Sequence, residues 1–182
     1  SITPEHLIYA VKLPKHEKYF RTKNKKKLIP SWYHADDLEK GDIALYPITQ
    51  KEEDLDFIDL DVPKLKYDFK SYSLPEKIPI NGDFLRLSGY FLAEGCIRER
   101  KCNNSIMFSF NINEKEYIDD VVSISKKLFG IVPIIRNIKE RKTTIIVINS
   151  ARLARFFKKL FNKGAVNKSV PSFMLYLPIL KQ

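Results

Sequence analysis

A single carboxylate and a set of cations are the residues of this chain most suited to chemistry. Glu94 closes the run Leu87-Ser88-Gly89-Tyr90-Phe91-Leu92-Ala93-Glu94-Gly95, in which almost every other side chain is apolar or small. Burying an unpaired carboxylate is costly, so Glu94 is expected at the end of its element with a cation nearby. Beyond it stand Arg98, Arg100, Lys101, Asn103 and Asn104, and further along a second basic cluster, Arg136, Lys139, Arg141 and Lys142. In the DNA major groove, arginine pairs bidentately with guanine and asparagine with adenine. Lysine more often touches phosphates and positions a protein without reading sequence. Together these side chains suit a polyanionic partner.

The elements that must position them can be read from the pattern. From Phe84 to Ala93 only Arg86, Ser88 and Gly89 are not large or apolar, so the segment predicts a helix that is greasy on nearly every side and buried on two faces. Asn81 and Asp83 offer N-caps, and Gly95 is placed to take a left-handed conformation just past the last turn. Gly89 costs about 1 kcal/mol relative to alanine inside a helix, which suits a site of close approach. With Ala93 four residues on, it forms a small-residue stripe facing a partner helix. Arg86 and Glu94 interrupt the run, which is too short for the roughly 20 apolar residues of a membrane span.

A hairpin follows, from 96–100 through a polar tip at 101–104 into 105–112, where Ile106, Phe108, Phe110 and Ile112 alternate with Met107, Ser109 and Asn111. Asn113 and Glu116 suggest a capping box opening a helix that Gly130 closes. A second hairpin covers 134–138 and 143–148 with its tip at 139–142. Ser150 caps a helix through Phe161, and a last turn starts at Pro171. The order αββαββα predicts an α+β fold with helices on one face of an antiparallel sheet and the other face open, carrying the basic hairpins.

Length and charge agree with that reading. The 182 residues are 44% hydrophobic, enough for a core, with Lys+Arg 32 against Asp+Glu 22. Residues 52–61 hold six acids and no base, so a net +10 overall leaves +16 on the remainder, which points to nucleic acid. Cys96 and Cys102 lack metal-ligand spacing and no signal peptide is evident, so an intracellular location without disulfides or structural zinc is expected. The chain is expected to divide into a small β-rich segment at 1–48, an acidic, proline-punctuated linker at 49–79 that packs on a neighbour, and a domain at 80–182.

The nine residues from Leu87 to Gly95 resemble the LAGLIDADG motif of homing endonucleases in its glutamate form, with Leu92 at the variable sixth position. The resemblance implies a saddle-shaped sheet lying along the major groove of double-stranded DNA. It also implies a divalent metal, Mg²⁺ or Mn²⁺, held at Glu94 with Gly95 beside it. Ser88, Gly89, Leu92 and Ala93 are implied at the interface between paired motif helices. Lys168, in Lys168-Ser169-Val170-Pro171, is similar to the lysine of the K-x-x-P pattern near the family's catalytic centre, where a cation would stabilise developing anionic charge. With one motif in the chain, the expected assembly is a homodimer, or half of a two-repeat enzyme. A non-cleaving DNA-binding regulator and an RNA maturase share the fold and are the alternatives.

Residues 1–48 are similar to the middle of an intein (Hint) domain: Thr3 and His6 match T-x-x-H, and Trp32, Ala35, Leu38, Gly41 and Asp42 match W-x-x-A-x-x-L-x-x-G-D. A dense basic stretch runs between the two patterns, from Lys12 to Lys27. Ser1 lies two residues before Thr3 and the chain ends Leu180-Lys181-Gln182, so a splicing-incompetent remnant is expected, with His6 a packed or surface histidine.

Overall fold

The computed structural model describes residues 3–13, 28–45, 52–66, 68, 74–100, 104–178 and 181. They form two compact units, divided between Gln50 and Lys51. In the first unit, β1 (Leu7–Val11) pairs on either side with β2 (Ser31–His34) and β3 (Ile43–Ala44) in a three-stranded antiparallel sheet. The turn into β3 depends on Gly41, whose φ of +114° only glycine takes without strain. Asp42 then ties that turn down, accepting from the Leu13 and Glu39 amides at 3.0 and 2.9 Å. His6 is exposed, and most of the predicted basic stretch, from Lys15 to Lys27, lies outside the described residues.

The second unit opens with a two-stranded ribbon, β4 (Phe57–Asp59) and β5 (Lys77–Pro79), followed by α1 (Gly82–Glu94), β6 (Gly95–Arg98) and β7 (Ser105–Asn111). Then come α2 (Lys115–Phe129), β8 (Ile134–Ile138), β9 (Thr143–Ile148), α3 (Ala151–Phe161) and the single turn α4 (Ser172–Leu175). The predicted αββαββα order is present, and its sheet is antiparallel in the order β6-β7-β9-β8. Ile106, Phe108 and Phe110 sit opposite Ile148, Ile146 and Thr144, so one face of the two central strands is buried under the helices.

The expected linker is part of this unit. Leu60, Val62, Leu74, Ile78 and Ile80 join the same core as Phe84, Phe91 and Phe157. Five acids of the segment are paired as well: Asp61 meets Lys159 at 2.6 Å, Asp68 meets Arg155 at 2.5 Å, Glu76 meets Arg152 at 3.2 Å, and Asp54 and Asp56 both hold Lys181. These pairs make the acidic run a clamp, because α3 and Lys181 supply the opposite charges from far along the chain.

Two local expectations are replaced. Gly130 does take the left-handed cap of α2 (φ 66°), but Gly95 after α1 is extended, with φ −86° and ψ 154°. Glycine is required there by space: a Cβ would come within 2.6 Å of the Phe91 Cα and carbonyl oxygen. The Asn113–Glu116 capping box also does not form. Glu114 precedes α2 and its side chain accepts from the Asn111 amide at 2.7 Å, while the Asn111 side chain accepts from Asn113.

Ion pairs give the unit a pH signature. Lys158 and then Lys163 donate to the Glu99 carboxylate and pull its pKa down to about 2 from an ordinary 4.5. Asp68, Asp83 and Asp120 are lowered by hydrogen bonds from Arg155, Lys127 and Arg86 respectively. A lowered folded-state pKa contributes stability above the unfolded value and loses it as protons bind. Urea midpoints therefore fall as pH drops from 4.5 toward 2, and Glu99→Gln makes that fall shallower; identical pH profiles for the two proteins would refute the assignment.

Candidate functional site

The motif helix α1 is held by its ends and one face. The Asn81 side chain caps its start, accepting from the Phe84 amide at 3.0 Å. Phe84, Leu87 and Phe91 are fully buried, and the Phe91 ring lies 5.1 Å from Phe157, 5.3 Å from Phe161 and 6.4 Å from Phe108. Arg86, whose role the sequence did not suggest, ties α1 to α2 by bonding Asp120 at 2.9 and 3.1 Å while also reaching Asp83 at 2.9 Å. The Asp83–Arg86 spacing of three on one helix was its available signal.

The helix is not buried on two faces within this chain. Gly89, Ala93 and Glu94 are exposed, Leu85 and Leu92 are half-buried, and the space above Gly89 is open: a Cβ added there would meet nothing within 4 Å. Ser88 faces the opposite way. It is buried at 2% exposure and its hydroxyl donates to the Phe84 carbonyl at 2.7 Å, so it cannot lie on the stripe with Gly89 and Ala93. Residues at i and i+4 share a helix face whereas neighbours do not, which separates the two sets.

At the end of α1 the structure brings Lys168 against the motif. Its ammonium donates to the carbonyls of Phe91 (3.0 Å), Leu92 (2.5 Å) and Gly95 (3.1 Å) and lies 5.5 Å from the Phe91 ring centre. All three of its donors are thereby used on carbonyls at the helix C-terminus, where the macrodipole favours a cation. Lys168 thus acts on the backbone that carries Glu94 and forms no ion pair with the Glu94 carboxylate. Glu94 itself is exposed and has no hydrogen-bond or ion-pair partner among the described residues. No group of three or more His, Cys, Asp or Glu placed to hold a metal ion occurs among the described residues, so they offer no closed metal cage within one chain. Mg²⁺ commonly needs only one or two carboxylates, completing its shell with water and substrate phosphates, and Glu94 fits that demand. The Gly95 carbonyl fits less well, because an ammonium already occupies it.

Gly95→Ala tests how tightly this corner is built. Because the new methyl meets backbone at 2.6 Å rather than a flexible side-chain tip, it is expected to destabilise the unit by about 1–3 kcal/mol. An unchanged urea midpoint would contradict the close approach.

The predicted nucleic-acid residues are distributed along the sheet and its tips. Arg98 is on β6, Arg136 on β8, and Lys139, Arg141 and Lys142 at the β8–β9 turn, with Lys142 left-handed at φ 49°. Arg98 and Arg136 project from the face opposite the helices, since they pair with Ser105 and Ile145 in the register that turns Ile97 and Ile146 inward. Asn104 is engaged: its side-chain oxygen accepts from the Arg100 amide at 3.2 Å and closes the hairpin tip, so it is a turn residue in this structure. Lys101 and Asn103 lie outside the described residues. Among the described residues, none of the Arg98, Arg100, Arg136, Lys139, Arg141 and Lys142 side chains has a carboxylate partner, whereas Arg86, Arg152, Arg155, Lys158, Lys159 and Lys163 are all paired. Six cations without a carboxylate partner among the described residues thus lie on the sheet and its tips, while Lys64, Lys66, Lys77, Lys115 and Lys126 are unpaired elsewhere in the unit.

Residues 81–161 match the family model described as a LAGLIDADG-like domain. This part of the chain belongs to the LAGLIDADG family. The chain is 35% identical to an uncharacterized protein of Methanocaldococcus jannaschii, over all of this chain and 25% of that protein. It is 26% identical to the ATP-dependent DNA helicase Hel308 of Thermococcus kodakarensis over 96% of this chain and 17% of the helicase. An iron–sulfur cluster assembly SufBD family protein of Mycobacterium bovis is 30% identical over 55% of this chain and 9% of that protein. The chain therefore spans a quarter or less of each of these relatives. Among the described residues no helix is long and apolar enough to cross a membrane.

Proposed function

We propose that this chain is a sequence-specific double-stranded DNA endonuclease of the homing type, working as a dimer of motif helices with one Glu94 for each strand cut. The observation that carries the reading is the exposed Glu94, its carboxylate without a partner among the described residues, at the end of a helix whose small-residue stripe is also exposed, next to a sheet that carries six unpaired cations at Arg98, Arg100, Arg136, Lys139, Arg141 and Lys142. A stripe of Gly89 and Ala93 lets a second copy approach closely enough to bring two carboxylates together. Mg²⁺ at Glu94 would supply an activated water and charge stabilisation for phosphodiester hydrolysis. The residues of this chain do the rest: the arginines and lysines of the sheet bind and align the duplex, and Lys168 holds the helix end that aims Glu94.

The relatives support a mobile element. A helicase and an iron–sulfur assembly protein share no chemistry by name, yet each contains a stretch similar to this chain that makes up a small part of its length. The Hint-like first unit is read in the same way, as an intein-type remnant beside its nuclease. A non-cleaving regulator or an RNA maturase would retain the basic sheet with no use for an exposed carboxylate at the helix end.

The test is to incubate the protein and Mg²⁺ with a randomised duplex library and sequence both the bound molecules and any new ends. Defined ends within an enriched sequence are expected; enrichment without new ends would favour the regulator, and preference for RNA the maturase. Assembly is tested separately. Gly89→Leu places a large side chain in the open stripe, so it should leave the monomer folded while abolishing the dimer in sedimentation. A wild type that stays monomeric at micromolar concentration, with or without duplex, would refute the homodimer.

A further inference from the structure

The open face of the sheet is less polar than a surface meant only for phosphates. Strand register places Cys96, Met107, Val147 and Ile134 side by side, one from each strand, in a continuous row across all four strands. Ile145 extends the row on one side. Ile134 is 44% exposed, Cys96 is exposed and Met107 and Ile145 are half-buried, while Val147, between Met107 and Ile134, is buried at 5% exposure, so the accessible surface of the band is supplied by Cys96, Met107, Ile134 and Ile145. It is bracketed by arginines: Arg98 is two residues along β6 on one side, and Arg136 two residues along β8 on the other. Neither has a carboxylate partner among the described residues.

Four strands span three gaps, about 14 Å, close to the roughly 12 Å width of the major groove. Residues two apart on a strand are separated by about 6.8 Å, the length of two base-pair steps. The floor of that groove has one apolar feature, the thymine C5-methyl; the other base edges present donors and acceptors. Apolar side chains pressed on those would strip their water and return no hydrogen bond, which is costly.

Resting on the reading of this sheet as the DNA-binding face, we propose that the apolar band reads thymine methyl groups. The recognised half-site then carries T·A pairs beneath the band, with guanines about two base pairs to either side, beneath Arg98 and Arg136. The unpaired arginines and the basic β8–β9 turn supply charge complementarity to the duplex, which a protein partner for the same band would not need.

The experiment selects bound sequences from a randomised duplex library and then replaces thymine by deoxyuridine, position by position, in the enriched site. Deoxyuridine removes the methyl and leaves the base-pairing edge intact. Under the band each replacement is expected to weaken binding about three- to fivefold, the worth of one buried methyl, with no change in salt slope. Met107→Gln and Ile134→Gln alter partly exposed side chains; thermal melting checks that they fold, and they should bind thymine and deoxyuridine sites equally. Equal binding of both sites by the wild type would overturn the proposal while leaving DNA binding in place. So would enrichment of G·C pairs beneath the band, or methyl discrimination that survives in both variants. Failure of the wild type to bind duplex at all would overturn the DNA reading and this inference with it.

Discussion

Glu94→Gln abolishes cutting and leaves duplex affinity equal to or above that of the wild type. Glutamine keeps the size of the side chain and removes its charge, and since the Glu94 carboxylate has no hydrogen-bond or ion-pair partner among the described residues, the fold loses no partner. Two carboxylates brought together by paired helices repel each other and the phosphates they face unless a cation neutralises them. Removing that charge should therefore relieve repulsion in the bound state while eliminating the ligand on which hydrolysis depends. Chelation of the divalent metal should reproduce the loss of cutting in the wild type, but without the gain in affinity. The measurement is single-turnover cleavage beside equilibrium binding on one selected duplex. Cutting that persists in Glu94→Gln would remove this residue from the chemistry.

Lys168→Met slows cleavage about 10²-fold and also destabilises the second unit. The ammonium makes three charge-assisted bonds to the carbonyls at the end of α1. Methionine keeps much of the packing against Phe91 and cannot donate at all. Hydrogen bonds involving a charged group contribute about 1.5–3 kcal/mol each in favourable cases; because Lys168 is partly exposed, a total loss of about 2 kcal/mol is expected. The kinetic effect arises because Glu94 lies between the carbonyls that Lys168 holds, and misplacing a reacting group by about 1 Å can cost 10²-fold. Affinity for the duplex should be unchanged, and Lys168→Arg, which can still cap carbonyls, should recover part of the rate. A full rate in Lys168→Met at a temperature where it is folded would limit the lysine to stability.

Much of this protein is local and could be read from the chain. The buried period-two residues of β7, the caps at Asn81 and Ser150, the left-handed Gly130 and the turn at Gly41 all follow from side-chain pattern or backbone sterics within a few residues. So does the placement of Glu94 at a helix end, because a charge closing an apolar run has few other acceptable positions. What needed the tertiary structure depends on distant partners. That Ser88 turns inward while Gly89 faces out follows from which side of α1 meets Phe108, Phe157 and Phe161. Gly95 is required by the proximity of Phe91 rather than by its own φ. Asp54, Asp56, Asp61, Asp68 and Glu76 read only as part of an acidic linker until α3 and Lys181 bring the matching cations to them. Arg98 and Arg136 on the sheet are left without such partners among the described residues, and strand register aligns Cys96, Met107, Val147 and Ile134 across it. Charge and polarity are properties of single residues, but their neutralisation and alignment depend on residues far away in the chain, so only the folded structure could decide them.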